Sequence, residues 1–138
     1  MAAVGELIQV TAGVIARDGC VLVCQRLPGG HHPGKWEFPG GKLEPGEDLA
    51  ACMRRELEEE LGIDATVGPV LWTTRYQYPE RDPIELTFFR IPWYAGTLAN
   101  RAFAGIKWMP VVDLTTMDFL EGDKEFVAEL MSKRVRLE

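Results

Sequence analysis

The sequence predicts an α+β sandwich, a mixed β-sheet held between α-helices. Three observations carry that expectation. Apolar, β-branched runs bounded by Gly, Pro and Asp occur at 7–16, 21–25, 70–78, 84–94 and 107–109, the lengths and boundaries of strands. Two other stretches, from Asp48 to about Leu61 and from Gly122-Asp123 onward, space their apolar residues at i, i+3 and i+4, as helices packed on a core do. Strands and helices are interleaved with no repeat, low-complexity segment or linker between them. All 138 residues are therefore expected to form one domain, 1–138, and that length suits a single core.

Each element has its own local reason. Gly13 interrupts the first strand, 7–16, and Asp18-Gly19 then forms a hairpin turn, since both residues tolerate positive φ. Residues 27–35 carry Pro28, Gly29, Gly30, Pro33 and Gly34 and read as a loop; a loop this long inside a domain is commonly functional. His31 and His32 are expected to be solvated there, because adjacent histidines without further ligands make a poor metal site. Residues 36–38 are extended and run into the turn Pro39-Gly40-Gly41, where backbone can approach a ligand closely. Pro45-Gly46 is a second turn.

Asp48 is read as the N-cap of the first helix and Gly62 as its C-terminal glycine. Ala50, Met53, Leu57 and Leu61 point to the core. Residues 65–68 lead into the strand 70–78, and 79–83 is a charged turn. In 84–94, Leu86, Phe88 and Arg90 alternate with Glu85, Thr87 and Phe89, as on the two faces of one long strand. Residues 96–97 turn, and 110–115 hold a helical turn. The last helix presents Phe126, Val127, Leu130 and Met131 inward, with Lys133, Arg134 and Arg136 favourable near its C-terminus.

Composition removes several classes. The net charge of −6 argues against a nucleic-acid groove, which is usually basic. No apolar run is long enough to span a membrane, and the N-terminal MAAVGELIQV lacks the pattern of a secretion signal. Cys20, Cys24 and Cys52 are odd in number and lack paired metal-ligand spacing, so they read as reduced thiols of a cytoplasmic protein. A monomer or homodimer is expected.

The chemistry concentrates on the first helix. Glu56, Glu59 and Glu60 stand at i, i+3 and i+4 and share one face. Three like charges there repel, and a bound cation would relieve them. Hard divalent ions such as Mg²⁺, and also Mn²⁺, take oxygen ligands, usually a few carboxylates together with substrate phosphates. Arg55 lies beside Glu56 and one turn before Glu59, and Lys42 follows the Gly40-Gly41 turn, where it could face a phosphate.

The flanks extend the pattern: Gly41, five residues, Glu47, seven residues, Arg55-Glu56-Leu57, one residue, Glu59-Glu60, one residue, Gly62-Ile63. This resembles the Nudix box of hydrolases that cleave a nucleoside diphosphate linked to another group. The preceding Trp36-Glu37-Phe38-Pro39-Gly40 is similar to the MutT branch of that family. The resemblance implies the Nudix fold and the hydrolysis of a nucleoside triphosphate to its monophosphate and pyrophosphate, with water directed at the β-phosphorus. It implies metal ligation by the Gly40 carbonyl, Glu56, Glu59 and Glu60, orientation of a ligand by Arg55, and a part for Glu47 as outer metal partner or base. It also places Arg26 along the nucleotide.

One departure stands out. Family members carry a further glutamate in the loop before the strand that ends in Trp108-Met109; here 98–105 contains no acid, and Ala102 stands at that place. Glu44, Glu47 or a hydroxide on the metal is left as the base. Asp123 matches the position that contacts the base, and a plain helix cap is its other reading. An ionised carboxylate only accepts hydrogen bonds, which suits the amino group of cytosine and also the N–H groups of guanine's other edge, but repels a 6-oxo group unless protonated. Phe38, Trp36, Tyr76 and Tyr78 are stacking candidates or core. The expected substrate is 8-oxo-dGTP, in nucleotide-pool sanitation, with CTP or a modified dCTP as alternative. A Nudix-fold nucleotide-binding module without catalysis is the reading of another class.

Overall fold

Strand β1 (Ile8–Arg17) is the axis of the sheet, and its two edges do different things. Along one edge it pairs in parallel with the strand Ile84–Ile91, from Ile8 opposite Ile84 to Ile15 opposite Ile91. Along the other edge it is shared. Its end, Ala16-Arg17, closes a hairpin with β2 (Cys20–Gln25) through Asp18-Gly19, both at positive φ. Its beginning is hydrogen-bonded instead by the turn after β3 (Trp36–Glu37): Gly13 N–H donates to the Pro39 carbonyl at 2.7 Å and Thr11 N–H to the Gly41 carbonyl at 2.8 Å. The sheet thus splays between β1 and β2, and the Pro39-Gly40-Gly41 turn is fixed in the gap. The computed structural model describes residues 6–137; the reading of the first residues as free of a secretion signal falls partly outside them.

Helix α1 (Leu49–Leu61) covers one face. The Asp48 carboxylate accepts from Ala51 N–H at 2.8 Å, and Gly62 ends the helix in the left-handed region at φ 70°, satisfying end groups that a helix leaves open. Cys52, Met53, Leu57 and Leu61 are buried, while Ala50 is only half-buried. Gly13 lets the helix approach: a Cβ there would lie 3.2 Å from the Met53 methyl carbon. Ile15, Leu22, Phe89 and Ile91 complete this core.

The strand expected over 84–94 is two elements. Ile84–Ile91 (β6) ends at Pro92, which has no N–H for a ladder, and Trp93–Ala95 (β7) turns away to pair with Asp64–Thr66 (β4). Strand β5 (Val70–Tyr76) flanks β6, and β8 (Gly105–Pro110) flanks β2. A 3₁₀ turn, Val111–Thr116, leads to helix α2 (Glu121–Met131) on the second face. There Phe38, Phe88, Phe119 and Phe126 form an aromatic cluster, with Phe88 and Phe126 stacked at 4.1 Å. Burying each such ring contributes about 2–3 kcal/mol. The basic residues expected near the C-terminus of α2 lie beyond it, and Arg134 instead pairs with Glu129 at 2.6 Å.

Candidate active site

The guanidinium of Arg55 is the hub of the acidic face. Nη2 lies 2.7 Å from Glu47 and Nε 3.1 Å from the other oxygen of the same carboxylate. Nη1 reaches Glu56 at 2.8 Å and Glu59 at 3.3 Å, and Nη2 also donates to the Lys42 carbonyl at 3.0 Å. Glu44 stands 3.5 Å away. The hydrogen bond from Arg55, first, and the N–H of Glu44, next, hold the Glu47 carboxyl down at about 2. Arg55 itself is raised by the same partnership.

Glu60 lies on the inner side of the helix. Its Oε1 accepts from Gly40 N–H at 2.9 Å. Burial first, then the neighbouring Glu56 and Glu37, push its carboxyl up to about 9. Burial also raises Glu56, against the pull of Arg55. The turn wraps closely around these acids. A Cβ on Gly41 would lie 2.4 Å from the Glu56 carboxyl carbon, and one on Gly40 would lie 2.0 Å from the Thr11 carbonyl oxygen. Pro39 and Gly41 carbonyls are taken by β1, whereas among the described residues no donor reaches the Gly40 carbonyl. Among the described residues no three acidic, His or Cys groups converge to hold an ion, and Arg55 stands between Glu47, Glu56 and Glu59. By chemistry the set fits a hard divalent cation: carboxylates crowded beyond what one guanidinium balances, beside a free carbonyl.

A cavity of about 360 Å³ opens beside this turn. Val10, Ala12 and Leu86 give it an apolar lining, Arg26, Glu37, Lys42 and Arg81 bring charge, and His31, His32, Tyr78 and Asp123 also line it. Asp123 is the third residue of α2, 4% exposed, and accepts from Phe38 N–H at 3.2 Å. Burial, reinforced by Glu37, lifts its carboxyl to about 8. Arg26 donates to both Glu37 oxygens, at 3.0 and 3.2 Å, and to the His31 carbonyl at 2.7 Å. Tyr78, lifted to about 12 chiefly by burial, accepts from Gly122 N–H at 2.9 Å. A second cavity of about 210 Å³ is bordered by Glu60, Ala102 and Phe103.

The Nudix domain profile matches residues 7–130. The chain belongs to the Nudix family. Among relatives, the CTP pyrophosphohydrolase of Escherichia coli K12 is 39% identical over 103 residues, 75% of this chain and 76% of that protein. The 8-oxo-dGTP diphosphatase of Haemophilus influenzae is 39% identical over 129 residues, 93% of this chain and 94% of that protein. The solution structure of the Escherichia coli ORF135 protein superposes with a TM-score of 0.84 at 32% identity, covering 94% of this chain and 92% of that one. The MutT protein of Methanosarcina mazei Go1 superposes at 0.85 with 19% identity, covering 98% and 100%, a likeness of fold. The protein is a Nudix hydrolase, and its family generally works with a divalent metal.

Within this Nudix frame the predicted residues fall into two groups. Glu47, Arg55, Glu56 and Glu59 form one linked cluster beside Gly40 and Glu60; Arg26, Lys42, Phe38 and Asp123 border the cavity. Phe38 does so from the core: the residue is 2% exposed and its ring packs on Phe119 and Phe126. Asp123 is no helix cap. The capping position is Leu120, and the Asp123 side chain turns back to Phe38, the residue after β3. His31 is exposed as expected, with Nδ1 2.7 Å from Arg81 Nη2, whereas His32 is half-buried with its ring 4.6 Å from that of Tyr78. Sequence reasoning passed over Glu37 and Arg81. Glu37 had a local signal: on an extended segment, Trp36 and Phe38 share one face, so the carboxylate between them faces the other way.

Proposed function

We propose that this Nudix hydrolase is a Mg²⁺-dependent nucleoside triphosphate pyrophosphohydrolase, with 8-oxo-dGTP as its substrate, working in the cytoplasm to cleanse the nucleotide pool. The observation that carries this reading is the pair Glu56 and Glu59, linked by Arg55, with Glu60 held at the Gly40 turn beside a cavity of about 360 Å³. Glu56, Glu59, Glu60 and the Gly40 carbonyl would hold Mg²⁺, or Mn²⁺ in its place. When bound, such an ion neutralises phosphate oxygens and activates water.

The chain's own residues supply the positioning that phosphoryl transfer mostly needs. Arg55 orients Glu56 and Glu59, and Glu47 anchors Arg55 through both oxygens. Glu47 is thereby spent on that anchor, which makes it a poor general base; Glu44, at the rim, is less engaged. Lys42 and Arg26 face the phosphates. Asp123 meets the base. With its carboxyl at about 8, it keeps its proton at neutral pH and offers a donor as well as an acceptor. A 6-oxo group is then no longer repelled, which favours the oxidised guanine nucleotide. The names of the two relatives support both this choice and the alternative, CTP or a modified dCTP.

The test is pyrophosphate release with Mg²⁺ from 8-oxo-dGTP, dGTP, CTP, dCTP and 5-methyl-dCTP, compared by kcat/KM. Preference for 8-oxo-dGTP is the expected result. Preference for the cytosine nucleotides would replace it with the alternative.

A further inference from the structure

We propose that Thr11 and Cys52 are positioning residues of the metal site. Through the Gly41 carbonyl they set the register of the Gly40-Gly41 turn against helix α1, and so where the Gly40 carbonyl stands relative to Glu56 and Glu60. This rests on the metal reading above and adds two residues that act on its ligands rather than as ligands.

Convergence is the first argument. Three donors reach the one carbonyl oxygen of Gly41: Thr11 N–H at 2.8 Å, the Thr11 hydroxyl at 3.3 Å and the Cys52 thiol at 3.6 Å. The hydroxyl and the thiol also stand 3.5 Å from each other. The Cys52 sulfur accepts from Arg55 Nη2 at 3.9 Å, and the same Nη2 donates to the Lys42 carbonyl at 3.0 Å. Strand, turn and helix thus meet at one node that uses none of the groups assigned to the ion.

Excess over need is the second. The N–H of Thr11 alone satisfies the Gly41 carbonyl. Thr11 is 1% exposed and Cys52 is 0% exposed, where a hydroxyl costs stability unless it is paired; a valine has nearly the same shape without that cost. The added donors contribute direction. Glycine leaves its two flanking peptides free to rotate, so the restraint on Gly41, and on the adjoining peptide that carries the Gly40 carbonyl, has to come from partners.

Closeness is the third. Cys52 stands one turn before Glu56 on α1, and a Cβ on Gly41 would lie 2.4 Å from the Glu56 carboxyl carbon. Gly40 N–H donates to Glu60 at 2.9 Å. A shift of the turn therefore changes the spacing of ligands drawn from two elements. Mg²⁺ demands near-ideal octahedral geometry, and partners that orient metal ligands are worth about 10–100-fold in affinity.

The experiment titrates Mn²⁺ into metal-free protein without nucleotide and follows the free ion by electron paramagnetic resonance. Wild type is compared with Thr11→Val, Thr11→Ser, Cys52→Ala and Cys52→Ser. Glu56→Gln marks the site, and circular dichroism checks folding. Thr11→Val and Cys52→Ala are expected to weaken Mn²⁺ binding about tenfold. The serine variants keep a donor and are expected to stay within about threefold of wild type. Thr11→Val and Cys52→Ala together lose less than the product of the single losses, because both act on one carbonyl. Should the variants at one position not fold, those at the other decide. Equal binding in wild type and the folded variants, whatever their melting temperatures, would overturn the proposal. Serine variants that bind as weakly as Thr11→Val and Cys52→Ala would overturn it too. A wild type that binds no Mn²⁺, or binding that Glu56→Gln leaves untouched, defeats the metal reading itself, a result distinct from unchanged ratios between the variants.

Discussion

Asp123 carries its carboxyl near 8 in the folded chain, against 3.8 ordinarily, because burial disfavours the charge and Glu37 adds to it. The folded state therefore holds a proton between about pH 4 and pH 8 that the unfolded chain releases. Stability from this group is complete below pH 4 and declines as pH rises toward 8. Urea unfolding across that range should show the decline in wild type and a flatter profile in Asp123→Asn; identical slopes would mean that Asp123 ionises freely. Glu59 gives a second test at this scale. Its side chain is 53% exposed and, among the described residues, its one ion-pair partner is Arg55, so Glu59→Gln should leave the melting temperature nearly unchanged. Turnover with Mg²⁺ should fall by roughly 10²-fold or more, as for loss of a metal ligand. Full activity would remove Glu59 from the metal site. The spacing of the glutamates was legible in the sequence because one helix sets it. The protonation of Asp123 was not, because it depends on β3 and α2 meeting.

The decisive element is the turn between β3 and α1. Helix α1 and its caps could be read directly, since Asp48 and Gly62 act within one turn of chain. The turn could be read as glycine-rich, but the reason lies 30 residues back in β1. The Gly41 carbonyl is held by Thr11, and a Cβ on Gly40 would collide with the Thr11 backbone at 2.0 Å. Gly40→Ala should therefore destabilise the fold by roughly 2–4 kcal/mol, as overpacking against backbone does, and lower turnover beyond the loss of folded protein. Calorimetry on the variant checks the first part. A melting temperature equal to wild type would show that the turn has room to move. The break at Pro92 is the complementary lesson. Alternation ran smoothly from Ile84 to Tyr94, yet a proline placed between two partners ends one ladder and starts another.

At the scale of the molecule, the splayed sheet explains why acids and cavity adjoin. Strand β1 pairs with β2 only at its end, so the turn of Gly40-Gly41 fills the gap and meets Glu56 and Glu60 from one side and the cavity from the other. Layer order and the two cores were predictable from alternating faces. The cavity was not, since Arg26, Glu37, Arg81 and Asp123 come from four separate stretches of chain. The central claim is that this arrangement splits a nucleoside triphosphate between its α- and β-phosphorus. The most direct measurement is the product ratio from 8-oxo-dGTP and CTP with Mg²⁺ and with chelator. Equal amounts of monophosphate and pyrophosphate, lost on chelation, are predicted. Diphosphate with orthophosphate, or products unaffected by chelation, would contradict the account.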